Sequence, residues 1–392
     1  MMEEKTKNVA IVTVSNTISV TANGLWIMFI PLYLSGSGMS LAEIGIVIGL
    51  STLARAVCQF SGGLLSDRHG RKPLVIAGRC ISIGGICAVA LSVHQVDKHI
   101  SAGMLAGIGY LIIYAGSGLR GPATSMILME SSEAKHKGRN YMVAERVLPS
   151  LPPALTVLVG SMLYGRGQYG LLVTIGLIGY IFATIVVGFG IEETLTTNGA
   201  DSYLKRHALL KPDWFLVLLT VAFILDGVSA QGISWYIPIY LEDLGVEFYG
   251  ILISSSTVII ALFGLFSGYL VDRCGGRSAL IPAWLLLSVV VFLFGLVNDP
   301  VLLLSLYCVW VALDTVDTAV PPVLISNHYV NSEGGTRMGW FSSVKSVTLF
   351  VGPILSGYLV VLGESFPFYF KAIANGLAAL IIARIATDES DD

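Results

Sequence analysis

One short polar pattern occurs twice in this chain, 205 residues apart, each time between two long apolar stretches. The first copy reads Gly63-Leu64-Leu65-Ser66-Asp67-Arg68-His69-Gly70-Arg71-Lys72. The second reads Gly268-Tyr269-Leu270-Val271-Asp272-Arg273-Cys274-Gly275-Gly276-Arg277. Gly63, Asp67, Arg68 and Gly70 recur at one constant offset as Gly268, Asp272, Arg273 and Gly275. Chance is a poor explanation for four matched positions in the same setting. The pattern points to a chain made of two copies of one helical membrane unit.

Composition agrees. Charged residues make up 12% of the chain, about half the usual globular share, and hydrophobic residues 54%. A mean hydropathy of +0.77 suits a helical protein that crosses a bilayer many times. The net charge of -3 comes without a basic stripe, so nucleic acid is not an expected partner. The five cysteines form no CxxC pair and read as small packing residues, with neither a disulfide framework nor a metal site. The apolar run over residues 9–34 is longer than a signal-peptide core and reads as a retained first span.

A span needs roughly 20 mostly apolar residues. Twelve are expected, at about 9–34, 42–64, 73–93, 102–128, 141–164, 169–190, 214–240, 249–271, 279–297, 301–326, 338–362 and 366–386. The fold class is therefore all-α and polytopic, with an N-terminal six-helix bundle over 1–191, a central loop over 192–213 and a C-terminal six-helix bundle over 214–392. The halves also match at Ile30-Pro31-Leu32-Tyr33-Leu34 and Ile237-Pro238-Ile239-Tyr240-Leu241, which close spans 1 and 7. With the N-terminus inside, the inner segments hold Lys5, Lys7, Arg68, Arg71, Lys72, Lys135, Lys137, Arg139, Lys205, Arg206, Lys211, Arg273, Arg277, Arg337 and Arg384. The outer loops hold only Lys98 and Arg166, so both termini are expected in the cytoplasm.

With these features assembled, the chain resembles the major facilitator superfamily over its whole length. The family's loop pattern after span 2, Gly-x-Leu-x-Asp-Arg-x-Gly-Arg-Lys, is matched at Gly63, Leu65, Asp67, Arg68, Gly70, Arg71 and Lys72. The second copy departs from it with Gly276 where an Arg would stand. The resemblance implies two pseudo-symmetric bundles and a conformational latch built from Gly63, Asp67, Arg68, Gly70, Arg71, Lys72, Gly268, Asp272, Arg273, Gly275 and Arg277. Physically, the two first-copy glycines suit close helix approach and a tight turn, and Asp67 can bind a helix N-terminus or an Arg. The alternative is that the basic residues only set topology, which would not require Asp67 or the glycines.

Charges inside the spans are functional candidates, because each costs several kcal/mol unless it faces a polar interior. The basic ones are Arg55, Arg79, Arg120, Arg146, Lys345 and Lys371, and the acidic ones away from span ends are Glu145, Asp226, Asp314 and Asp317. Spans 1, 4, 7 and 10 line the cavity, as the resemblance implies. That puts Asp226 in span 7 and Asp314 and Asp317 in span 10 at the centre, as expected proton-coupling residues. Asp314 and Asp317 share a helical face, and two carboxylates that close in a low dielectric do not both ionise easily. The competing reading is a structural ion pair with Lys345 or Arg120. Aligning Arg139 with Arg337 sets Arg120 opposite Asp317 and Arg146 opposite Lys345, an arrangement that could pair charges in one state and part them in another. Glu145 and Arg146 diverge by ~100° on a helix and cannot both face the cavity. Arg55 and Arg79 read as structural.

Further cavity candidates are Asn16, Asn23 and Trp26 in span 1, and Tyr110 and Tyr114 in span 4 beside Arg120. Gln231, Trp235 and Tyr236 in span 7, Tyr307 and Trp310 in span 10 and Lys345 in span 11 complete the set. Trp26 and Trp235 suit an interfacial aromatic belt equally well. Arg120-Gly121-Pro122 is similar to the span 4 Arg pattern of proton-linked members but lacks the usual Gln, and Leu148-Pro149-Ser150-Leu151-Pro152-Pro153 departs from the antiporter pattern of span 5.

The expected function is secondary active transport of a small organic solute by alternating access, with protons as the coupling partner. Export of amphipathic or organic-ion compounds is favoured, and uptake of a metabolite such as a sugar or organic acid is the alternative. No cofactor or metal is expected, and the absence of a Walker motif removes ATP as the direct energy source. An intramembrane enzyme would need a nucleophile and base at depth, yet all six histidines lie in loops or at span ends. A channel is the other rival class. A monomer in the cell membrane completes the expectation.

Overall fold

A computed structural model describes residues 2–94, 100–132, 144, 148–194, 212–328 and 334–388. Every regular element among them is helical. Eleven helices are long and apolar enough to cross a membrane, and Pro153–Gly165 is a shorter apolar helix in the place of span 5. The reason for the short fifth element is local. Pro149, Pro152 and Pro153 remove backbone donors, so the chain makes one turn at Leu148–Ser150 and restarts at Pro153. Glu145 and Arg146 lie outside the described residues, as do Lys98, Lys135, Lys137, Arg139, Lys205, Arg206 and Lys211.

Helix boundaries follow side-chain chemistry. Span 2, Leu41–His69, opens on a capping box in which Ser40 accepts from the Glu43 amide and Glu43 accepts from the Ser40 amide at 2.7 Å. Span 7, Trp214–Ser234, is capped by the Asp213 carboxylate on the Leu216 amide at 2.9 Å. Span 10, Pro300–His328, is capped by Asp299 on the Leu302 amide at 2.9 Å. Gly70 at φ 98° and Gly275 at φ 84° make the tight corners between spans 2 and 3 and between spans 8 and 9. That conformation explains a glycine at both repeat positions.

The matched Ile-Pro segments break their helices in the same way. Span 1 runs Met2–Gly24, then a 3-10 turn at Ile27–Phe29, then a second helix at Ile30–Gly36. Span 7 likewise gives way to Ile237–Tyr240. Span 11 is also broken, into Gly334–Thr348 and Val351–Leu362, because Pro353 has no amide to donate to the preceding turn.

The chain forms two compact units. The first holds spans 1–6 together with Leu241–Ser254, the outer start of span 8. There Tyr249 packs edge-on against Phe29 at 6.1 Å, and a side chain at Gly250 would collide with Ser161. Span 4, Ile100–Glu130, is the spine of this unit. A Cβ at Gly116 would lie 2.4 Å from the Gly78 carbonyl oxygen of span 3, and one at Gly109 2.6 Å from that of Gly85. On its other side a Cβ at Gly118 would lie 2.3 Å from the Arg55 carbonyl of span 2. The three helices touch backbone to backbone, as small residues permit in a bilayer.

The second unit holds span 7, span 8 from Ser255 and spans 9–12. Its outer half is an aromatic core in which Phe294 contacts Tyr307, Trp310, Phe368 and Tyr240 with ring centroids 5.3–6.1 Å apart. Spans 7 and 11 meet closely at Gly352, where a Cβ would strike the Val228 carbonyl, and at Gly227, where one would lie 2.8 Å from Leu349.

Candidate functional site

Three carboxylic acids meet in the second unit. Asp226 of span 7 and Asp314 and Asp317 of span 10 bring carboxylate oxygens within 4.8 Å of one another. Asp226 is 3% exposed. A hydrophobic setting does not hold such a cluster together unaided, and two lysines supply the compensation. Lys371, fully buried on span 12, donates to Asp226 Oδ1 at 3.1 Å. Lys345 of span 11 stands with its Nζ 5.2 Å from the centre of the Phe223 ring, in electrostatic reach of all three carboxyls. Asn375, one turn beyond Lys371, donates its Nδ2 to the same Asp226 oxygen at 3.1 Å. The Lys371 ammonium also sits 5.9 Å from the centre of the Trp310 ring. Two ammonium groups inside the cluster oppose a resident metal ion, since they already occupy the charge a metal would neutralise.

The expected coupling residues and Lys345 are thus brought together. Lys371 and Asn375 complete the site, although span 12 was not expected to line it. Their signal was present in the sequence: a lysine and an asparagine four residues apart in an apolar helix share one face.

The first unit has a site of the other sign. Arg79 of span 3, 1% exposed, donates to Ser15 and Ser19 of span 1 and lies 5.6 Å from the centre of the Tyr180 ring of span 6. Arg120 of span 4 is beside the same tyrosine, and its Nε is buried without a hydrogen-bond partner. Arg79 is accordingly structural, held by neutral oxygens and a ring face. Arg120 is the half-buried cation of the pair.

The remaining cavity candidates divide by burial. Tyr110 donates its hydroxyl to Tyr114 at 2.8 Å, with the rings 4.6 Å apart. Asn16 is buried, and half-buried Asn23 leaves its Oδ1 without a partner. Trp26 is wholly buried against Gly176 of span 6, so it belongs to the packing of the first unit and not to an interfacial belt. Trp235 donates its indole N–H to Ser356 at 3.0 Å, and Ser356 in turn donates to the Gly232 carbonyl. Tyr236, Tyr307 and Trp310 are part of the aromatic core, and Gln231 is half-buried.

The first repeat motif is held by acids that sequence reading missed. Glu193, just beyond span 6, accepts from the amides of Arg71 and Lys72, both at 3.0 Å, and so caps the N-terminus of span 3. The Arg71 guanidinium donates to Ser66 and pairs with Glu130 at 3.3 Å, while Thr194 donates to the other Glu130 oxygen. Asn8 ties span 1 to the same turn, accepting from the Glu192 amide and donating to its carbonyl. Glu192 itself pairs with Lys7 at 2.8 Å, and that hydrogen bond holds its carboxyl below the usual range. Arg68 is exposed. The side chains of Asp67 and Asp272 and the surroundings of Gly268 lie outside what the structure describes. Gly63 faces open space, so the close approach expected there is made instead by Gly62, whose Cβ would lie 2.4 Å from the Leu119 carbonyl. In the second copy, Arg273 donates to Tyr269 and Arg277 lies over the Phe215 ring.

Comparisons with known proteins match this architecture. A family model described as Major Facilitator Superfamily matches residues 219–392. The chain is 23% identical over 380 residues to the quinolone resistance protein NorA of Staphylococcus aureus, covering 92% of each chain. It is 21% identical over 389 residues to an uncharacterized MFS-type transporter of Methanocaldococcus jannaschii, covering 96% of this chain and 97% of that one. Among solved structures, a variant of the nucleoside transporter NupG superposes with a TM-score of 0.77 at 15% identity, covering 97% of this chain and 99% of that one. A D-xylose-proton symporter superposes with a TM-score of 0.73 at 14% identity, covering 97% of both. With a duplicated loop motif, helical units and these likenesses, the chain is similar in sequence and fold to the major facilitator superfamily of secondary transporters.

Proposed function

We propose that this transporter is a proton-driven exporter of small amphipathic organic ions, seated in the cell membrane with both termini in the cytoplasm. The observation that carries the reading is the cluster of Asp226, Asp314 and Asp317 with Lys345 and Lys371, in which Asp226 and Lys371 are buried and the other three half-buried. A set of buried acids and bases this close is a natural place for a proton to be taken up and released, because its protonation changes the balance of a low-dielectric site. Similarity to quinolone resistance proteins favours export over uptake. The bundles 1–191 and 214–392, joined through 192–213, are the parts that move during alternating access, and the paired motifs around Asp67 and Asp272 act as their inner latch. Arg120 is the group for an anionic part of the substrate.

Reconstituted vesicles test this. With the lumen more acidic than the bath, inside-out protein should carry a fluoroquinolone or ethidium into the lumen as protons leave it. Under the reversed gradient, with the bath more acidic than the lumen, accumulation of a neutral sugar or nucleoside alongside inward protons would replace export by uptake. Transport of all probes that ignores the pH gradient would remove proton coupling. Arg120→Ala should weaken affinity for a carboxylate-bearing probe without moving the pH profile. A moved pH midpoint would instead tie Arg120 to the acid cluster.

A further inference from the structure

The cluster in the second unit has an odd charge count. Asp226, Asp314 and Asp317 supply three carboxyl groups, and Lys345 and Lys371 two ammonium groups, all within mutual electrostatic reach. Among the described residues, the other titratable neighbours are Tyr307, two turns before Asp314 on the same helix, and Cys308 beside it. Neither supplies a charge of the missing sign. With every acid ionised, one negative charge would stand uncompensated in a region where Asp226 and Lys371 are almost wholly shielded. Asp314 and Asp317 are half-buried beside them, a setting in which an uncompensated charge is still costly, and binding one proton removes it.

The hydrogen bonding says which acid is held ionised. Asp226 Oδ1 accepts from both Lys371 and Asn375, so it is the committed carboxylate. The same bond fixes the Asn375 amide: its nitrogen must face Asp226, which leaves Asn375 Oδ1 buried with no donor. That oxygen is a vacant acceptor beside the cluster, suited to a group that carries a proton.

From this count we propose that Lys371, on a helix outside the expected cavity lining, sets the proton number of the cluster at one: by holding Asp226 as a carboxylate it confines the exchangeable proton to Asp314 and Asp317. The proton adds to a carboxylate oxygen of that pair and leaves again to water. Lys371 is a positioning residue, acting through Asp226. This inference rests on proton coupling for its use in transport, but the proton number itself does not depend on transport.

Infrared difference spectroscopy during a pH titration counts buried protonated carboxyls directly, on purified protein in lipid nanodiscs without any substrate. Wild type should show one such carboxyl. Lys371→Met leaves three acids and one base, and its signal should double, while Lys371→Arg should match wild type. Asp226→Asn combined with Lys371→Met removes the pair together and should return the signal to one. Asp314→Asn and Asp317→Asn each leave two acids and two bases and should abolish it. A wild-type protein with no titrating buried carboxyl, a Lys371→Met signal equal to wild type, or a double variant that differs from wild type would each overturn the proposal. A signal that vanishes when sodium replaces choline in the buffer would also overturn it, by showing a metal cation as the compensating charge. If the counts hold while vesicle transport ignores the pH gradient, the function proposed above fails and the proton number stands.

Discussion

The two halves descend from one pattern and solve the problem of buried charge in opposite ways. In the first, Arg79 donates to the hydroxyls of Ser15 and Ser19 and lies against the face of Tyr180. Its helices are locked by backbone contact at Gly78–Gly116 and Gly85–Gly109. In the second, backbone contact is confined to the Gly352 region, and the interior is organised by acids paired with lysines. A cation held by neutral oxygens is a fixed fitting. Acids in excess of bases make a titratable one. Duplication therefore supplied two scaffolds of the same shape, and charge placement divided the labour between them.

The largest effect that could break this contrast comes from the ion pair. Asp226→Leu takes from fully buried Lys371 the carboxylate it donates to, leaving only the more distant Asp314 and Asp317 to balance it, and should cost about 3 kcal/mol of stability. Adding Lys371→Met should recover most of that loss. Thermal denaturation in detergent measures both, and a single variant as stable as wild type would mean that the pair is not what organises the second unit.

A smaller effect should appear in the first unit. Gly116→Ala drives a Cβ to 2.4 Å from the Gly78 carbonyl, a backbone atom that cannot rotate away. Overpacking of that kind costs about 1–3 kcal/mol. Gly376→Ala in the second unit meets only Ser288 Oγ at 3.6 Å and should fall within about 0.5 kcal/mol of wild type. Equal melting shifts in the two variants would erase the distinction between a unit packed by backbone and one packed by side chains.

The inner turn gives the next step down. Glu193→Gln keeps one of the two acceptors for the Arg71 and Lys72 amides and loses the other with the charge at the helix N-terminus, and should cost about 1 kcal/mol. Asp67→Asn should leave the melting temperature of the first unit unchanged and cut vesicle transport strongly, if the repeated motif is a latch. A transport rate equal to wild type would leave the motif a topology signal only.

The smallest effect is at Lys7 and Glu192, both exposed. The Lys7 hydrogen bond depresses the Glu192 carboxyl below its unfolded value. The sign follows: the contribution is present above the unfolded value and fades as the pH falls through the folded one. Lys7→Met should flatten the acid limb of the melting profile slightly, and more so at low salt than at high.

Much of the architecture was legible in the chain. The repeated motif, the twelve apolar stretches and the Ile-Pro pairs of spans 1 and 7 are local signals, and a bilayer turns such signals into helices because an unsatisfied backbone cannot persist there. Gly70 and Gly275 were legible for the same reason, since a left-handed corner between helices demands glycine. The fifth and eleventh spans came out broken or short, although prolines at 149, 152, 153 and 353 had marked the places.

Of the site, sequence alone determined which residue types had to be reckoned with: three aspartates in spans 7 and 10 and lysines in spans 11 and 12, each too costly in a bilayer to be idle. What only tertiary structure decided was their pairing. Asp226 and Lys371 are 145 residues apart, and the motif residue Arg71 and its capping Glu193 are 122 apart. Helical periodicity says which face a residue occupies and nothing about which helix that face meets. That choice is made by packing of whole helices, where glycine contacts, ring stacking and the requirement that no buried charge stand alone are satisfied together.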